Sequence, residues 1–111
     1  MAKFGGKWEL QAGERVIGQE QAAYHEKRLI GTRPISGRLY ITDQRVAFVV
    51  GIAHSMEMNY PLQEVLSFAV KKGLGGPIAV ETADGEQHKI TGLFNKKLAG
   101  YLREAGVRES G

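Results

Sequence analysis

The three histidines, His25, His54 and His88, are the side chains best suited to bind a metal ion or to transfer protons. They lie far apart in the chain, and no cluster of carboxylates accompanies any of them. A metal site or an acid–base pair that can be recognised from sequence needs closely spaced ligands or carboxylates. We therefore expect histidines on the surface or on strand faces, with no metal and no cofactor.

No nucleophile or phosphate-binding loop is evident either. The chain has no cysteine, which excludes disulfides, thiolate ligands and cysteine nucleophiles. The glycine-rich stretch Lys71–Pro77, "KKGLGGP", lacks the Gly-Lys-Ser/Thr ending of a phosphate-binding loop and precedes no predicted helix, so we interpret it as a connection between strands. None of the serines lies in the strand–turn–helix context of an activated nucleophile; they are Ser36, Ser55, Ser67 and Ser110. The sequence predicts a protein that is not an enzyme.

The composition fits one globular domain, with 111 residues, of which 42% are hydrophobic and 24% charged. The net charge is +3: residues 1–55 hold eight Lys or Arg against five acidic residues, and residues 56–111 hold seven against seven. This excess favours anionic partners only slightly, and a nucleic-acid binder would carry a denser basic patch. Because no apolar run approaches about 20 residues and the N-terminus lacks the apolar core of a signal peptide, we expect a cytoplasmic protein.

Alternating apolar residues predict about seven strands. The first is "RVIGQEQAAYHEK" from Arg15, where Gly18 and the lack of a helix cap favour a strand over a helix. After a turn near Lys27 and Arg28, "LIGTRPISGRLYIT" predicts the next strand, with Pro34 at an edge or bulge because proline has no amide donor.

The stretch "SGRLYITDQRVAFVV", residues 36–50, predicts a hairpin whose two strands are joined by the polar turn "TDQR". Met56, Met58 and Tyr60 are predicted to share one face of the next strand, and "EVLSFAVKK" predicts another. Asp84 and Gly85 predict a two-residue turn between the last two strands. The predicted core residues of the hairpin over residues 36–50 are Leu39, Ile41, Val46, Phe48 and Val50.

The period then changes to that of a helix. Leu98, Tyr101, Leu102 and Ala105 form one helical stripe over about residues 95–105, with Asn95 as the expected N-cap and Gly106 as the expected stop. The predicted fold class is mainly β with one C-terminal helix: a partly open seven-strand antiparallel barrel capped by that helix. Residues 1–12 are predicted to form a loose arm, anchored by Trp8 and Leu10, residues 13–106 the domain, and residues 107–111 a tail.

Several short motifs follow one another in a distinctive order. They are Gly13-Glu14, Gly37-Arg38-Leu39-Tyr40-Ile41-Thr42, Arg45 with Phe48, Tyr60-Pro61-Leu62 with Val65, and Asp84-Gly85. This order resembles the GRAM domain family, which has a pleckstrin-homology-like (PH-like) fold, and the resemblance covers about residues 13–106. It implies a non-enzymatic binding or adaptor module.

In the resembled fold, inositol phosphates often bind basic residues around the first hairpin. The corresponding residues here are Lys27, Arg28, Arg33 and Arg38. The usual basic pattern is incomplete, because Ser36 and Tyr40 interrupt it. We therefore expect protein interaction, through a sheet edge or by self-association, and keep weak binding to anionic lipid or phosphoinositide surfaces as the alternative.

Two further observations concern anions and nucleic acids. Lys96 and Lys97 lie in the first turn of the predicted helix, where cations oppose the helix dipole but would help free amides to bind a phosphate or carboxylate. Tyr24, Tyr40 and Phe48 could stack on bases. However, the oligonucleotide-binding barrel usually places its helix between strands, and this helix comes last. A nucleic-acid partner is therefore not expected.

Overall fold

The computed structural model describes residues 8–50, 55–72 and 76–110. It confirms the predicted fold class, because this part of the chain forms a seven-stranded antiparallel sheet followed by one α-helix. The elements are β1 (Val16–Lys27), β2 (Thr32–Thr42), β3 (Arg45–Val50), β4 (Met56–Pro61), a 3-10 turn (Leu62–Glu64), β5 (Val65–Val70), β6 (Ile78–Thr82), β7 (Gln87–Thr91) and α1 (Asn95–Glu104).

The strands are ordered β4-β3-β2-β1-β7-β6-β5 across the sheet. β1 joins the two halves, since it pairs with β2 along its whole length and with β7 at Ala23 and Tyr24. Pro34 pairs with His25 in the part of β2 that extends beyond β3, which covers β2 from Gly37 to Ile41. The missing donor of this proline therefore faces an open edge, as predicted.

The main core lies between the inner face of the sheet and α1. Of the core residues predicted for the hairpin over residues 36–50, Leu39, Ile41, Val46 and Phe48 are buried, and Val50 is half-buried. The inner face also buries Met58, Tyr60, Phe68, Ile78, Val80 and Ile90, and α1 contributes Leu98 and Leu102. Gly37 has no room for a side chain, because a Cβ there would lie 2.2 Å from the Val49 carbonyl oxygen.

A second, smaller cluster lies on the opposite face of β3. It contains Ala47, Val49 and Met56, with Trp8 and Tyr40 packed against them. The prediction that Met56 shares a face with Met58 and Tyr60 is therefore wrong. A register shift between Phe48 and Val49 in the β3–β4 pairing moves Met56 to the other cluster, since a bulge inserts one residue into the alternation.

The two ends of α1 differ from each other. Gly106, with φ of 90°, ends the helix as predicted: its N–H donates to the Arg103 carbonyl, and the Val107 N–H donates to the Leu102 carbonyl. The predicted N-cap is wrong. Phe94 occupies the cap position without a side-chain cap hydrogen bond, and Asn95 is buried in the first turn.

The β6–β7 connection is longer than predicted. Four residues, from position 83 to 86, separate the two strands, so the two-residue turn is wrong. The Asp84 carboxylate accepts hydrogen bonds from the Thr82 hydroxyl at 2.6 Å and the Glu86 N–H at 3.1 Å. These bonds stabilise the wider turn, with Gly85 at a φ of 84°.

The segments on either side of the domain also contact the sheet. Trp8 stacks on Tyr40 with ring centroids 4.4 Å apart, whereas Leu10 remains exposed. At the other end, the Phe68 N–H donates to the Arg108 carbonyl and the Ser110 N–H donates to the Phe68 carbonyl. Residues 108–110 therefore cover part of the outer edge of β5. Within the described ranges, no helix has the length and apolarity needed to cross a membrane.

Candidate functional site

The turn between β1 and β2 exposes two adjacent aliphatic side chains. Leu29 is 103% exposed and Ile30 is 91% exposed. The turn is closed by a hydrogen bond from the Arg28 N–H to the Gly31 carbonyl, and Gly31 has a φ of 71°, which favours glycine. The sequence pattern predicts a strand that begins at Leu29, and Gly31 is the signal that these residues instead belong to a turn. We call residues 27–33 the hairpin tip.

Three of the predicted anion-binding residues meet at the hairpin tip, but each has an acidic partner. Lys27 Nζ lies 3.2 Å from Glu86 Oε1. Arg28 Nε and Arg33 Nε lie 3.0 and 3.7 Å from Glu26 Oε1. Such exposed ion pairs contribute between about 0 and 1 kcal/mol, so a binding partner could exchange them for its own charges.

The other three predicted residues lie elsewhere. Arg38 is on β2 opposite Gln21 and Val49. It is five residues from Arg33, about 17 Å along a strand. Lys96 and Lys97 lie in the first turn of α1. The six residues therefore do not form one site, and their role in anion binding stays a prediction.

An open cavity of about 510 Å³ lies beneath the hairpin tip. Its charged side chains are four carboxylates and one lysine: Glu26, Glu57, Asp84, Glu86 and Lys27. This excess of negative charge repels a phosphate group. The cavity therefore offers a poor environment for an inositol phosphate headgroup.

A hydrogen-bond network, buried except at the exposed Asp84, forms one wall of this cavity. Tyr60 donates to Asp84 at 2.8 Å and Thr82 donates to Asp84 at 2.6 Å, since a carboxylate can only accept. Thr82 Oγ1 lies 3.1 Å from His88 Nε2, and Tyr24 Oη lies 2.8 Å from His88 Nδ1. Because the Thr82 proton is used for Asp84, Nε2–H of His88 donates to Thr82 and Tyr24 donates to Nδ1. The bonds thus place a proton on His88 Nε2, and burial, which lowers the pKa of His88, favours the neutral ring in which Nδ1 accepts from Tyr24.

The electrostatics of this network favour a structural role. Burial lowers the pKa of His88, although Asp84 and Glu86 oppose this effect. Hydrogen bonds from Thr82 and Tyr60 lower the pKa of Asp84 to about 2, and burial raises the pKa of Tyr60 to about 12. At neutral pH the network therefore holds a charged Asp84 beside a neutral Tyr60, and burial, which lowers the pKa of His88, favours its neutral form.

His88 lies on a strand face, as expected, but on the buried inner face of β7 and not at the surface. It points inward with Ile90, two residues along β7, and this alternation with a core residue was the available signal. His25 is half-buried on β1 and its Nε2 lies 3.0 Å from Thr91 Oγ1. His54 lies outside the described residues. In the described ranges, no three His, Cys, Asp or Glu side chains form a group that could hold a metal ion.

A second buried network joins the N-terminal segment to the β2–β3 turn. Arg45 Nε and Nη2 donate to the Glu14 carboxylate at 2.8 and 3.0 Å, and the Thr42 hydroxyl donates to it at 2.7 Å. The Arg45 guanidinium also lies 4.5 Å from the centroid of the Trp8 ring. Burial alone would raise the pKa of Glu14, but the bonds from Arg45 and Thr42 outweigh it and lower the pKa. Glu14, Thr42 and Arg45, which carried part of the family resemblance, thus stabilise the fold.

The aromatic residues considered for base stacking are largely occupied. Phe48 and Tyr24 are buried, with ring centroids 5.5 Å apart, and Tyr40 is stacked on Trp8. Residues 73–75 of the Lys71–Pro77 stretch lie outside the described residues.

Comparison with known proteins identifies the fold through solved structures. No family model matches this sequence, and no curated protein matches it. The C-terminal domain of an unknown protein from Leishmania infantum is similar, with a TM-score of 0.69 and 18% identity, over 85% of this chain and 86% of that one. The N-terminal PH domain of Vps36 is similar at a TM-score of 0.68 and 16% identity, over 95% of this chain and 92% of that one.

A structure of Vav1 inhibited by an allosteric inhibitor matches at a TM-score of 0.60 and 10% identity, over 82% of this chain and 26% of that one. At these identities the similarity is one of fold. Together with the seven antiparallel strands and the C-terminal helix, it shows that this chain has a PH-like fold.

Proposed function

We propose that this chain is a non-enzymatic binding module of the GRAM or PH-like type, and that it docks a protein partner through the hairpin tip. The observation that supports this proposal is the full exposure of Leu29 and Ile30 at adjacent positions of a protruding turn. Burying one such side chain contributes about 1.5–3 kcal/mol. The pair is therefore a natural anchor for an interface.

The charges around the anchor favour a protein over an anionic surface. Each basic residue of the tip has a carboxylate within ion-pair distance, and the cavity beneath the tip is acidic. A protein surface with both signs of charge complements such an arrangement, whereas a uniformly anionic surface is repelled by part of it.

The free sheet edge offers a second route to a protein partner. β4 and β5 are the outer strands, and residues 108–110 cover part of β5. In the described part of the chain, the outer edge of β4 has no strand beside it. Addition of a strand from a partner, or from a second copy of this chain, would satisfy the backbone groups of that edge.

The tip is tested by comparing the proteins captured by the wild type and by a Leu29→Ser/Ile30→Ser variant. The matched control is Leu10→Ser/Leu66→Ser, which changes two other exposed leucines. We expect partners that are lost with the tip variant and kept with the control. An identical set of captured proteins for all three would contradict docking through the tip. Sedimentation velocity over a range of concentrations tests self-association, which the β4 edge would mediate.

Lipid binding remains the second candidate because the same two aliphatic side chains stand beside Arg28 and Arg33. Apolar side chains can enter a bilayer while nearby basic residues contact its surface, at about 1 kcal/mol per basic residue. Co-sedimentation with anionic and with zwitterionic vesicles, at low and at physiological salt, distinguishes the two functions. Binding that requires anionic lipid and decreases with salt would favour the membrane.

A further inference from the structure

A second cavity, of about 380 Å³, lies beside β6 and β7. Its walls include three lysines, Lys71, Lys72 and Lys89, together with Gln87 and Ala79, and none of the described residues that line it is acidic. We call it the lysine cavity. Its charge is opposite to that of the acidic cavity beneath the hairpin tip, although Gln87 lines both.

The strands place this cavity on the outer face of the sheet, which turns away from the core. Along β7, the exposed Gln87 and Lys89 alternate with the buried His88 and Ile90. Ala79, which pairs with Lys89, is the partly exposed residue between two buried residues of β6. The stem of Lys89 therefore stands beside a small side chain on an open face, where a ligand can reach its ammonium group.

The other two lysines lie on the far side of β6. Lys71 and Lys72 follow the end of β5, and both are exposed. The Lys71 N–H donates to the Pro77 carbonyl at 2.7 Å, which holds Lys71 beside the start of β6. Two strand spacings, about 10 Å, therefore separate Lys71 from Lys89 across the sheet. The flexible stem of a lysine can extend over the cavity from either side.

The described part of the chain does not neutralise this positive charge. None of the three lysines forms an ion pair with a described residue. Glu81 shares the outer face, but its carboxylate accepts from the Ser67 hydroxyl on β5 at 3.5 Å. The charge of Lys89 also acts on β1: burial lowers the pKa of His25, and Lys89 lowers it further.

We propose that the lysine cavity binds an acidic, extended segment of a partner protein. Carboxylates at alternate positions of such a segment point the same way, about 7 Å apart, so that different carboxylates can pair with Lys89 and with Lys71 or Lys72. The Gln87 amide can bond to the backbone of the segment, and the small Ala79 leaves room for it. The inference rests on the proposed function only in that the partner is a protein, and it does not depend on the hairpin tip.

A segment with several carboxylates matches this cavity better than one phosphate or a bilayer does. A single phosphate would draw like-charged lysines together from both sides of β6, and each would lose rotamer freedom worth up to about 2 kcal/mol. A bilayer binds through apolar side chains that enter it together with basic ones. No large, exposed apolar side chain is present among the described residues that line the cavity.

The proposal is tested by NMR titration of the full chain with a short, terminally blocked peptide of alternating aspartate and threonine. The control peptide has asparagine in place of aspartate. We expect the acidic peptide to shift the backbone amides of Ala79 and Lys89, with an affinity that decreases with salt. The dissociation constant should rise about tenfold or more in Lys71→Glu/Lys89→Glu, because reversal of both charges replaces attraction by repulsion.

The matched variant is Arg15→Glu/Arg108→Glu, which makes the same change of net charge at two exposed arginines outside the cavity. It should lose much less affinity for the peptide, because salt screens distant charges. Three results would overturn the proposal: no shift at Ala79 and Lys89, equal binding of the asparagine peptide, or an equal loss of affinity in the two variants.

Inorganic phosphate and vesicles that contain anionic lipid are tested in parallel. Shifts of the same amides by phosphate but not by the peptide would overturn the proposal. So would vesicle binding that is lost in Lys71→Glu/Lys89→Glu while the peptide does not bind. The Leu29→Ser/Ile30→Ser variant should bind the peptide as the wild type does. Peptide binding without capture through the tip would contradict the proposed function alone, and capture through the tip without peptide binding would contradict this inference alone.

Discussion

Two regions at opposite ends of β2 use the same types of side chain in different ways. Near Thr42, Arg45 and Glu14 form a bidentate ion pair in which both side chains are buried. Near Thr32, Lys27, Arg28 and Arg33 contact Glu26 and Glu86, with all of these side chains partly or largely exposed. The residue types are shared, whereas solvent access differs.

This difference decides what each region can do. Removing one partner from a buried pair leaves a charge without water or a counter-charge, which costs about 3–5 kcal/mol. Separating an exposed pair costs at most about 1 kcal/mol, because water solvates both charges. The Glu14–Arg45 network therefore fixes the fold, and the hairpin tip can exchange its internal contacts for those of a partner.

The largest expected effect comes from breaking the buried pair. We expect Arg45→Met to lower the free energy of unfolding by about 3–5 kcal/mol, because Glu14 would remain buried without its counter-charge. Urea unfolding measures this change. The control is Arg103→Met, which breaks the exposed pair with Glu109 and should cost less than about 1 kcal/mol. Equal losses in the two variants would remove the distinction between the regions.

The His88 network lies next to the exposed tip and is intermediate between the two regions: Tyr60 and His88 are buried, whereas the charged Asp84 is exposed. Tyr60→Phe would remove the hydroxyl that donates to the charged Asp84. We expect a loss of about 1.5–3 kcal/mol, the range for a hydrogen bond to a charged group. Urea unfolding again provides the measurement. A loss close to zero would show that the network adds little to stability and would group it with the tip.

The pH dependence of stability gives a smaller, graded test of the same network. Burial lowers the pKa of folded His88 below its ordinary value of 6.5, so the unfolded chain takes up its proton first as the pH falls. The contribution of neutral His88 to the free energy of unfolding is therefore fully present above pH 6.5. It decreases as the pH falls from 6.5 to the pKa of His88 in the folded chain. The slope from this residue is at most about 1.4 kcal/mol per pH unit.

Unfolding measured across this pH range should show a shallower slope in His88→Gln than in the wild type. Nitrogen-15 spectra of the imidazole should show the Nε2–H tautomer at neutral pH, as the bond directions require. An Nδ1–H tautomer or equal slopes would contradict the proposed bond directions or the burial of the neutral form.

The sequence predicted the strands and the helix well because their signals are local. Alternation identified Leu39, Ile41, Val46 and Phe48 as core, and the helical stripe identified α1. The errors arise where one residue breaks a regular pattern. A bulge moved Met56 to the second cluster.

Side-chain roles were harder to predict because they depend on partners distant in the chain. Asn95 is a common N-cap residue, but here its amide binds the carbonyl of Gly76, far along the chain. Lys27 and Glu86 are 59 positions apart, so no local pattern showed that the basic residues of the tip are paired. The exposure of Leu29 and Ile30 was not predicted, because two aliphatic residues at the start of a predicted strand resemble core residues.

The smallest expected effect is at the hairpin tip itself. Leu29→Ser/Ile30→Ser should change the free energy of unfolding by less than about 0.5 kcal/mol, since both side chains already face water in the folded chain. Urea unfolding of this variant beside Leu10→Ser/Leu66→Ser provides the comparison. A loss of several kcal/mol would mean that the tip packs against the domain in solution. In that case the exposed pair would belong to the fold, and the main support for docking through the tip would be gone.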